Sequence, residues 1–516
     1  MKSINLNIMF KNTLSYVQKV KLGVIVLLLI ASLPPACHAQ CWQNQKVVAD
    51  DRGEFERTGG TVAFSGNYAV AGAPGTRFFE TPNVGSISIF EKHGQKWDFR
   101  QQTRPNLAKI EGTAYGSSVA IENETMVVGA PGWGDLHAVG GVFILERQKD
   151  GSWKETQTLR GLEQPNQNYF GYKVAISGDW IAVSSPYCND FSQGILKYGV
   201  GAIFMYKKDS YGTWRHHQTI FNPSSEEFDF LGGSIALRGN QLIASVKQNT
   251  VFLYELSSLN KWQLKQPFIS ELNINFGYSI ALSDEHIAIS APYNHANKDN
   301  NQQQLLLAGS VYIFSNNSSL YYPLEAHISS MDLHAFDEFG SSIALHEHTL
   351  IVGAQAASRN ENDGDFMLRS GEAYQFEFVD DNWQQIRKIL APDRGSMDAF
   401  GTSVAFDGEC LMVGAPLDGH GSGSNDFISQ AGSCYFFQLV DDFYCQEQEC
   451  QAPAPNPSSN EFKIGDWEQT SVTLIDLQGR TSILEANHGI VRTESLPAGI
   501  YLLRSGSCTH KIVKID

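Results

Sequence analysis

Residues 400–416 read FGTSVAFDGECLMVGAP, and residues 115–131 read YGSSVAIENETMVVGAP. Both run aromatic, Gly, two residues, Val, Ala, a short polar turn, an alternating apolar run, then Gly-Ala-Pro. Further copies follow Gly59, Gly171, Gly232, Gly277 and Gly340, so seven glycines, with Gly116 and Gly401, stand 57, 55, 61, 45, 63 and 61 residues apart. The last three letters vary, as Ser-Ser-Pro at 184–186, Ala-Ser-Val at 244–246, Ser-Ala-Pro at 290–292 and Gly-Ala-Gln at 353–355. Self-similarity at such a period is the signature of a repeat architecture.

Two further pieces recur between the copies. One resembles Gly-Ser-Val-Tyr-Ile-Phe and begins at Gly85, Gly141, Gly201, Gly309, Gly371 and Gly432, with a worn copy at Thr250. The other opens with an aromatic residue: Trp42, Trp97, Trp153, Trp214, Trp262, Tyr322 and Trp383. Each unit thus holds four short runs of period-two apolar alternation, which predict four antiparallel strands. Seven such units predict an all-β fold, a seven-bladed β-propeller. The chain begins with an aromatic-led run that lacks its preceding partner and ends the repeats with a run, from Gly432, that lacks its following one. Pairing these orphans in one blade removes both open edges.

The 516 residues are 42% hydrophobic and 18% charged, a globular composition with ample core material. The 46 glycines favour turn-rich β structure. With 38 Lys+Arg against 55 Asp+Glu the formal charge is −17, which argues against nucleic acid as a partner.

The repeats resemble the FG-GAP family, the β-propeller repeat of integrin α subunits. The resemblance covers residues 41–440. It implies that the FG strand is innermost and the GAP strand second. The loops after GAP and those before FG then share one rim, the face that carries ligands in integrins. Rim candidates for ligand contact are Trp133, Asp135 and His137; Tyr187, Asn189 and Asp190; and Tyr293, His295 and Asp299. Arg359, Asp363 and Asp365, then Asp418, His420 and Asp426, continue the series. Calcium-binding members carry an acidic loop between the FG and GAP halves. Here those positions are short turns such as Ser65-Gly66-Asn67, which cannot supply six to eight oxygens. The nearest acidic run, Arg359 to Gly364, follows the GAP strand, so no metal and no cofactor are expected.

Residues 1–21 carry four lysines and no acid, and the apolar run Leu22–Leu33 is too short to span a bilayer. With Pro34-Pro35 and Ala39 behind it, this predicts a cleavable signal peptide over 1–39 and no transmembrane anchor. The propeller occupies 40–451, and 452–457 (APAPNP) forms a Pro-rich linker. Short alternating runs at Val472–Arg480, Ser495–Arg504 and Lys511–Ile515 predict a small C-terminal β-sandwich over 458–516. This segment resembles the C-terminal sorting domain of the type IX secretion system. The resemblance implies engagement of that secretion machinery, passage through the outer membrane, and attachment to the cell surface or release.

Six cysteines lie between signal and sorting domain, an even set in an exported chain, which suggests disulfides. If the orphan strands share a blade, Cys41 comes within reach of Cys445 or Cys450; a local Cys445–Cys450 pair is the alternative. Cys410 and Cys434, on adjacent strands of the last blade, form a further candidate pair, which leaves Cys188 without an obvious partner.

Motifs for metalloprotease, hydrolase or phosphate-loop chemistry are absent. His346-Glu347-His348 falls in a tight strand turn. His216 and His217, neighbours on one strand, point to opposite faces and read as structural. The expected function is a secreted or cell-surface binding protein, an adhesin recognising a protein or glycan. A carbohydrate-active enzyme, glycoside hydrolase or lyase, on the same scaffold is the alternative, as is a structural surface component.

Overall fold

The structure is a computed structural model. It describes residues 41–49, 52–77, 81–105, 112–134, 139–161, 169–191, 194–223, 226–247, 249–270, 275–298, 303–316, 321–358, 366–421 and 427–440, and the C-terminal strands at 461–463, 471–476, 481–487, 490–492, 499–505 and 508–514. Among the described residues there are no helices, and so none long and apolar enough to cross a membrane.

Seven four-stranded antiparallel sheets make the propeller. In the first blade Thr61–Ser65, Tyr68–Ala73, Ser86–His93 and Lys96–Thr103 pair in chain order. Five blades repeat that order. The seventh takes Ser403–Phe406, Cys410–Ala415 and Ser433–Val440 from the end of the repeats and Cys41–Val47 from their beginning. The ring closes as the orphan strands require. The second strand of each blade is its most buried, as in Trp180–Ser185, buried throughout. Its alternate side chains fill the layers on either side, so the core is a set of clusters between neighbouring blades.

Two devices hold blade to blade. At the hub, the glycine of Gly-Ala-Pro in one blade lies under the FG glycine of the next. A Cβ added at Gly72, Gly129, Gly353 or Gly414 would stand 2.0–2.1 Å from the carbonyl oxygen of Gly116, Gly171, Gly401 or Gly59. In three of these seams a hydroxyl two residues after the FG glycine reaches across to that same carbonyl: Thr61 to Gly116 at 3.0 Å, Ser342 to Gly401 at 2.8 Å and Ser403 to Gly59 at 2.8 Å. The remaining three variants of the motif have serine in place of the glycine. Ser184, Ser245 and Ser290 each accept from the main-chain N–H two residues after their own FG glycine, at Lys173, Ser234 and Ser279, all at 2.9 Å.

At the outer edge, a glutamine of one blade clamps the main chain of the next blade's leading aromatic. The Gln101 amide donates to the Trp153 carbonyl and accepts from its N–H, both at 2.9 Å. Gln45 does the same for Trp97, Gln157 for Trp214 and Gln218 for Trp262. The clamp satisfies main-chain groups that an outermost strand would otherwise leave open to pairing with another chain.

The Cys410–Cys434 pairing is corrected. Their strands are neighbours, but Cys410 stands opposite Gln438 and Cys434 opposite Gly414. The four-residue offset, at about 3.3 Å per residue, exceeds the reach of about 7 Å for a disulfide. Cys188, Cys410 and Cys434 are buried free thiols. Cys445, Cys450 and the side chain of Cys41 lie outside the described residues, as does the linker.

The second compact unit includes Leu439–Asp516. Its strands pair antiparallel in the order Glu461–Lys463, Ile490–Arg492, Thr481–Asn487, Ser471–Asp476, Gly499–Ser505, Cys508–Lys514. Thr481–Glu485 pairs with Ser471–Ile475, while Ala486 and Asn487 pair with Val491 and Ile490.

Candidate functional site

Strand alternation places the connections before each innermost strand, and those after each second strand, on one rim. The opposite rim carries the short turns inside the motif. Most of the exposed large apolar side chains among the described residues belong to the first rim, from Phe55 through Tyr187, Phe191 and Phe336 to Phe427. Four of them recur at one position, four residues before an FG glycine: Phe55, Phe228, Phe336 and Met397, 49%, 53%, 56% and 45% exposed. All four have left-handed backbone, with φ of 63°, 64°, 71° and 72°. That conformation costs a bulky L-residue roughly 1–2 kcal/mol. It is imposed by the preceding blade, whose rim loop accepts each N–H: Phe55 to Ser429, Phe228 to Tyr198, Phe336 to Leu306 and Met397 to Leu368, at 2.7–2.9 Å. The rim loops are therefore zipped together, and the apolar side chains are presented from a fixed backbone.

The sequence-derived rim residues divide. Tyr187 is exposed and packs against Tyr169 and Phe230, with ring centroids 5.0 and 4.9 Å away. Tyr293 meets Tyr278 edge to face at 5.8 Å. His295 accepts the Leu307 N–H at 3.1 Å, and His420 lies exposed over Phe427. Four are corrected to interior positions. Trp133 is 7% exposed, wedged between Phe143 and the Arg160 guanidinium. Asn189 and Asp190 are buried: Asn189 accepts the Gly199 N–H, and Asp190 pairs main chain to main chain with Lys197. Asp418 is buried against Lys46 at 2.7 Å and the Tyr435 hydroxyl at 2.9 Å. Asp135, His137, Asp299, Arg359, Asp363, Asp365 and Asp426 lie outside the described residues.

Rim carboxylates have structural duties that recur by blade. In blade seven Lys46 bridges Asp393 and Asp418, both of which also accept from Tyr435. In blade six Lys388 bridges Asp332 and Glu372, and Tyr374 donates to Glu372. Three residues before the FG glycine, Asp337 and Asp398 cap their loops by accepting the His334 and Gly395 N–H at 2.7 and 2.6 Å. Burial, with Glu372 and Asp332 nearby, pushes Asp337 up to about 7; burial and then Asp418 push Asp398 up to about 6. For Asp418 burial works upward, but Lys46 outweighs it and holds the carboxyl low.

Among the described residues, two groups bring ligand atoms close enough for a metal: Asp398, Asp418 and His420, and Glu285, His286 and His348. Lys46 already supplies the positive charge of the first. In the second, buried His286 bonds to Glu325 through Nδ1 and to His348 through Nε2, each at 3.1 Å. His346 stands apart from this chain, against Phe406. His216 and His217 do point to opposite faces, one against Tyr206, the other against Trp180.

What the sequence reading missed is the mouth of the axial channel. A cavity of about 580 Å³ is lined by the first residues of the innermost strands and the last of the second strands, so it opens on the rim already described. Serine and threonine side chains from six blades form most of its polar wall. Tyr172, Tyr187, Tyr278 and Phe230 form an aromatic side at blades three to five. Among the described residues, its only charged lining residues are Lys173 and Lys247. Burial holds the Lys173 ammonium below the ordinary lysine value. Burial, then Tyr293, pushes the Tyr278 hydroxyl up to about 12. The signal was present as Tyr-Lys after Gly171, where the other copies have small or hydroxyl residues or Tyr-Ser.

The family model described as FG-GAP repeat matches residues 322–376 and 383–437. Those two spans cover the outer strand of blade five with the first three strands of blade six, and the outer strand of blade six with the first three of blade seven. The chain is similar in structure to the crystal structure of RRP9 WD40 repeats, at 10% identity and a TM-score of 0.46, over 77% of this chain and 97% of that one. No curated protein matches the chain in sequence.

Proposed function

We propose that the chain is an exported β-propeller binding protein, an adhesin that engages a protein or glycan through the post-GAP and pre-FG rim. One observation carries the reading: exposed apolar side chains recur on that rim, held by a hydrogen-bonded and locally strained backbone. FG-GAP repeats are typical of extracellular proteins, which supports a secreted or surface address. The signal peptide at 1–39, cleavage after Ala39, and a sandwich-like sorting domain at 458–516 addressing the type IX machinery complete the proposal. Two experiments test it. Deleting Ser495–Asp516 is expected to leave the protein in the periplasm; undiminished surface display would end the sorting reading. Phe55→Ser with Phe336→Ser is expected to abolish binding to the ligand captured by wild-type propeller from a glycan and protein array. Retained binding, with loss on altering the short turns instead, would move the site to the opposite face.

A further inference from the structure

We infer that the mouth of the axial channel, whose charged lining residues Lys173 and Lys247 are both lysines, binds an acidic sugar residue. The inference deepens the binding reading by naming the chemistry of the ligand.

Charge is the first ground. In a chain of −17, no Asp or Glu lines this cavity among the described residues, and both charged residues that do line it are lysines. Neither ammonium has a hydrogen-bond or ion-pair partner among the described residues. Lys173 has only the Tyr172 ring, 5.9 Å from its centroid, and Lys247 only the Phe230 ring at 5.3 Å. The partly buried Lys173 ammonium, without a counter-ion among the described residues, is disfavoured until an anion enters. Ser184 fixes the main chain at Lys173, as Ser245 and Ser290 fix it at Ser234 and Ser279. It takes the Lys173 main-chain N–H at 2.9 Å, where blades with Gly-Ala-Pro place a hydroxyl residue to bond the next blade.

Shape and wall chemistry supply the second ground. A lysine ammonium pairs with an anion as a point charge, so the anion's chemistry is read from the wall around it, which is dominated by hydroxyl and aromatic side chains. Hydroxyls of Thr61, Ser234, Ser279, Ser342, Thr402 and their neighbours match the hydroxyls of a saccharide. Tyr172, Tyr187 and Tyr278 are exposed at the lip and offer ring faces to the C–H face of a sugar. A volume of about 580 Å³ accommodates one or two saccharide units.

The test is calorimetric titration of the whole secreted protein with galacturonate and glucuronate, their neutral counterparts galactose and glucose, and acetate. The uronates are expected to bind at least about tenfold more tightly than either the neutral sugars or acetate, and more weakly as salt rises. Lys173→Met and Lys247→Met are each expected to weaken uronate binding about tenfold, with the near-ultraviolet circular dichroism unchanged. Lys247 lies at the exposed lip, so its variant reports even if Lys173→Met misfolds. Uronate binding no tighter than that of the neutral sugars or of acetate, or unaffected by Lys247→Met, overturns the inference. A protein that still captures its array ligand through the rim while ignoring uronates refutes the acid-sugar site and leaves the binding reading intact. Uronate binding without any rim ligand does the reverse.

Discussion

Gly353→Ala tests the hub seam most directly. The added Cβ would stand 2.0 Å from the Gly401 carbonyl oxygen and 2.5 Å from Ser342 Oγ. Ser342 can rotate away, but the carbonyl belongs to the main chain of the next blade. Reaching ordinary contact requires a separation of the two blades by more than about 1 Å. That movement strains the two hydroxyl bonds that cross the seam to the Gly401 carbonyl, from Ser342 at 2.8 Å and from Ser341 at 3.4 Å. Two weakened bonds at about 1 kcal/mol each, with about 1–3 kcal/mol of overpacking, predict a loss of roughly 3–5 kcal/mol. Gly66→Ala is the control. Its φ is +58° but nothing lies within 4 Å, so it is expected to cost only about 1–2 kcal/mol. Urea unfolding followed by tryptophan fluorescence reads both as midpoint shifts at constant slope. A Gly353→Ala midpoint equal to that of Gly66→Ala would refute the backbone-contact explanation of the motif.

Three further outcomes are expected. Asp337, raised to about 7, binds its proton more tightly folded than unfolded; its stabilisation is full below about pH 4 and lost as pH rises through about 7. Asp337→Asn, which can still accept the His334 N–H, should therefore gain stability over wild type at pH 8 by up to about 4 kcal/mol and none at pH 4, read by thermal melts. Gln157→Ala removes both clamp bonds to Trp214 and should cost about 1–3 kcal/mol, with earlier proteolysis of the outer strands by limited digestion. Non-reducing peptide mapping should link Cys41 to the 445–450 segment and recover Cys188, Cys410 and Cys434 as free thiols.

Repetition made the fold legible from sequence alone. Seven copies of one strand pattern specify seven blades because each copy alternates at period two and cannot bury its apolar faces alone. The orphan strands at the two ends specified closure for a similar reason, since an unpaired edge is costly. The site was legible only in part. Loop position placed the candidates along one rim, but residue type did not select the exposed members: Trp133 and Asp418 look like ligand contacts in sequence and are buried packing and ion-pair residues in the fold. Whether a loop side chain turns outward depends on what the neighbouring blade offers it, and that neighbour is some sixty residues away in the chain. Register shows the same limit. Adjacency of the Cys410 and Cys434 strands follows from the repeat, whereas the four-residue offset that keeps the thiols apart follows from their pairing. Lys173 and Lys247 are separated by a whole repeat and carry no motif. Only the packing of blade four against blade three around the axis places both lysines on a single cavity, which no carboxylate lines among the described residues.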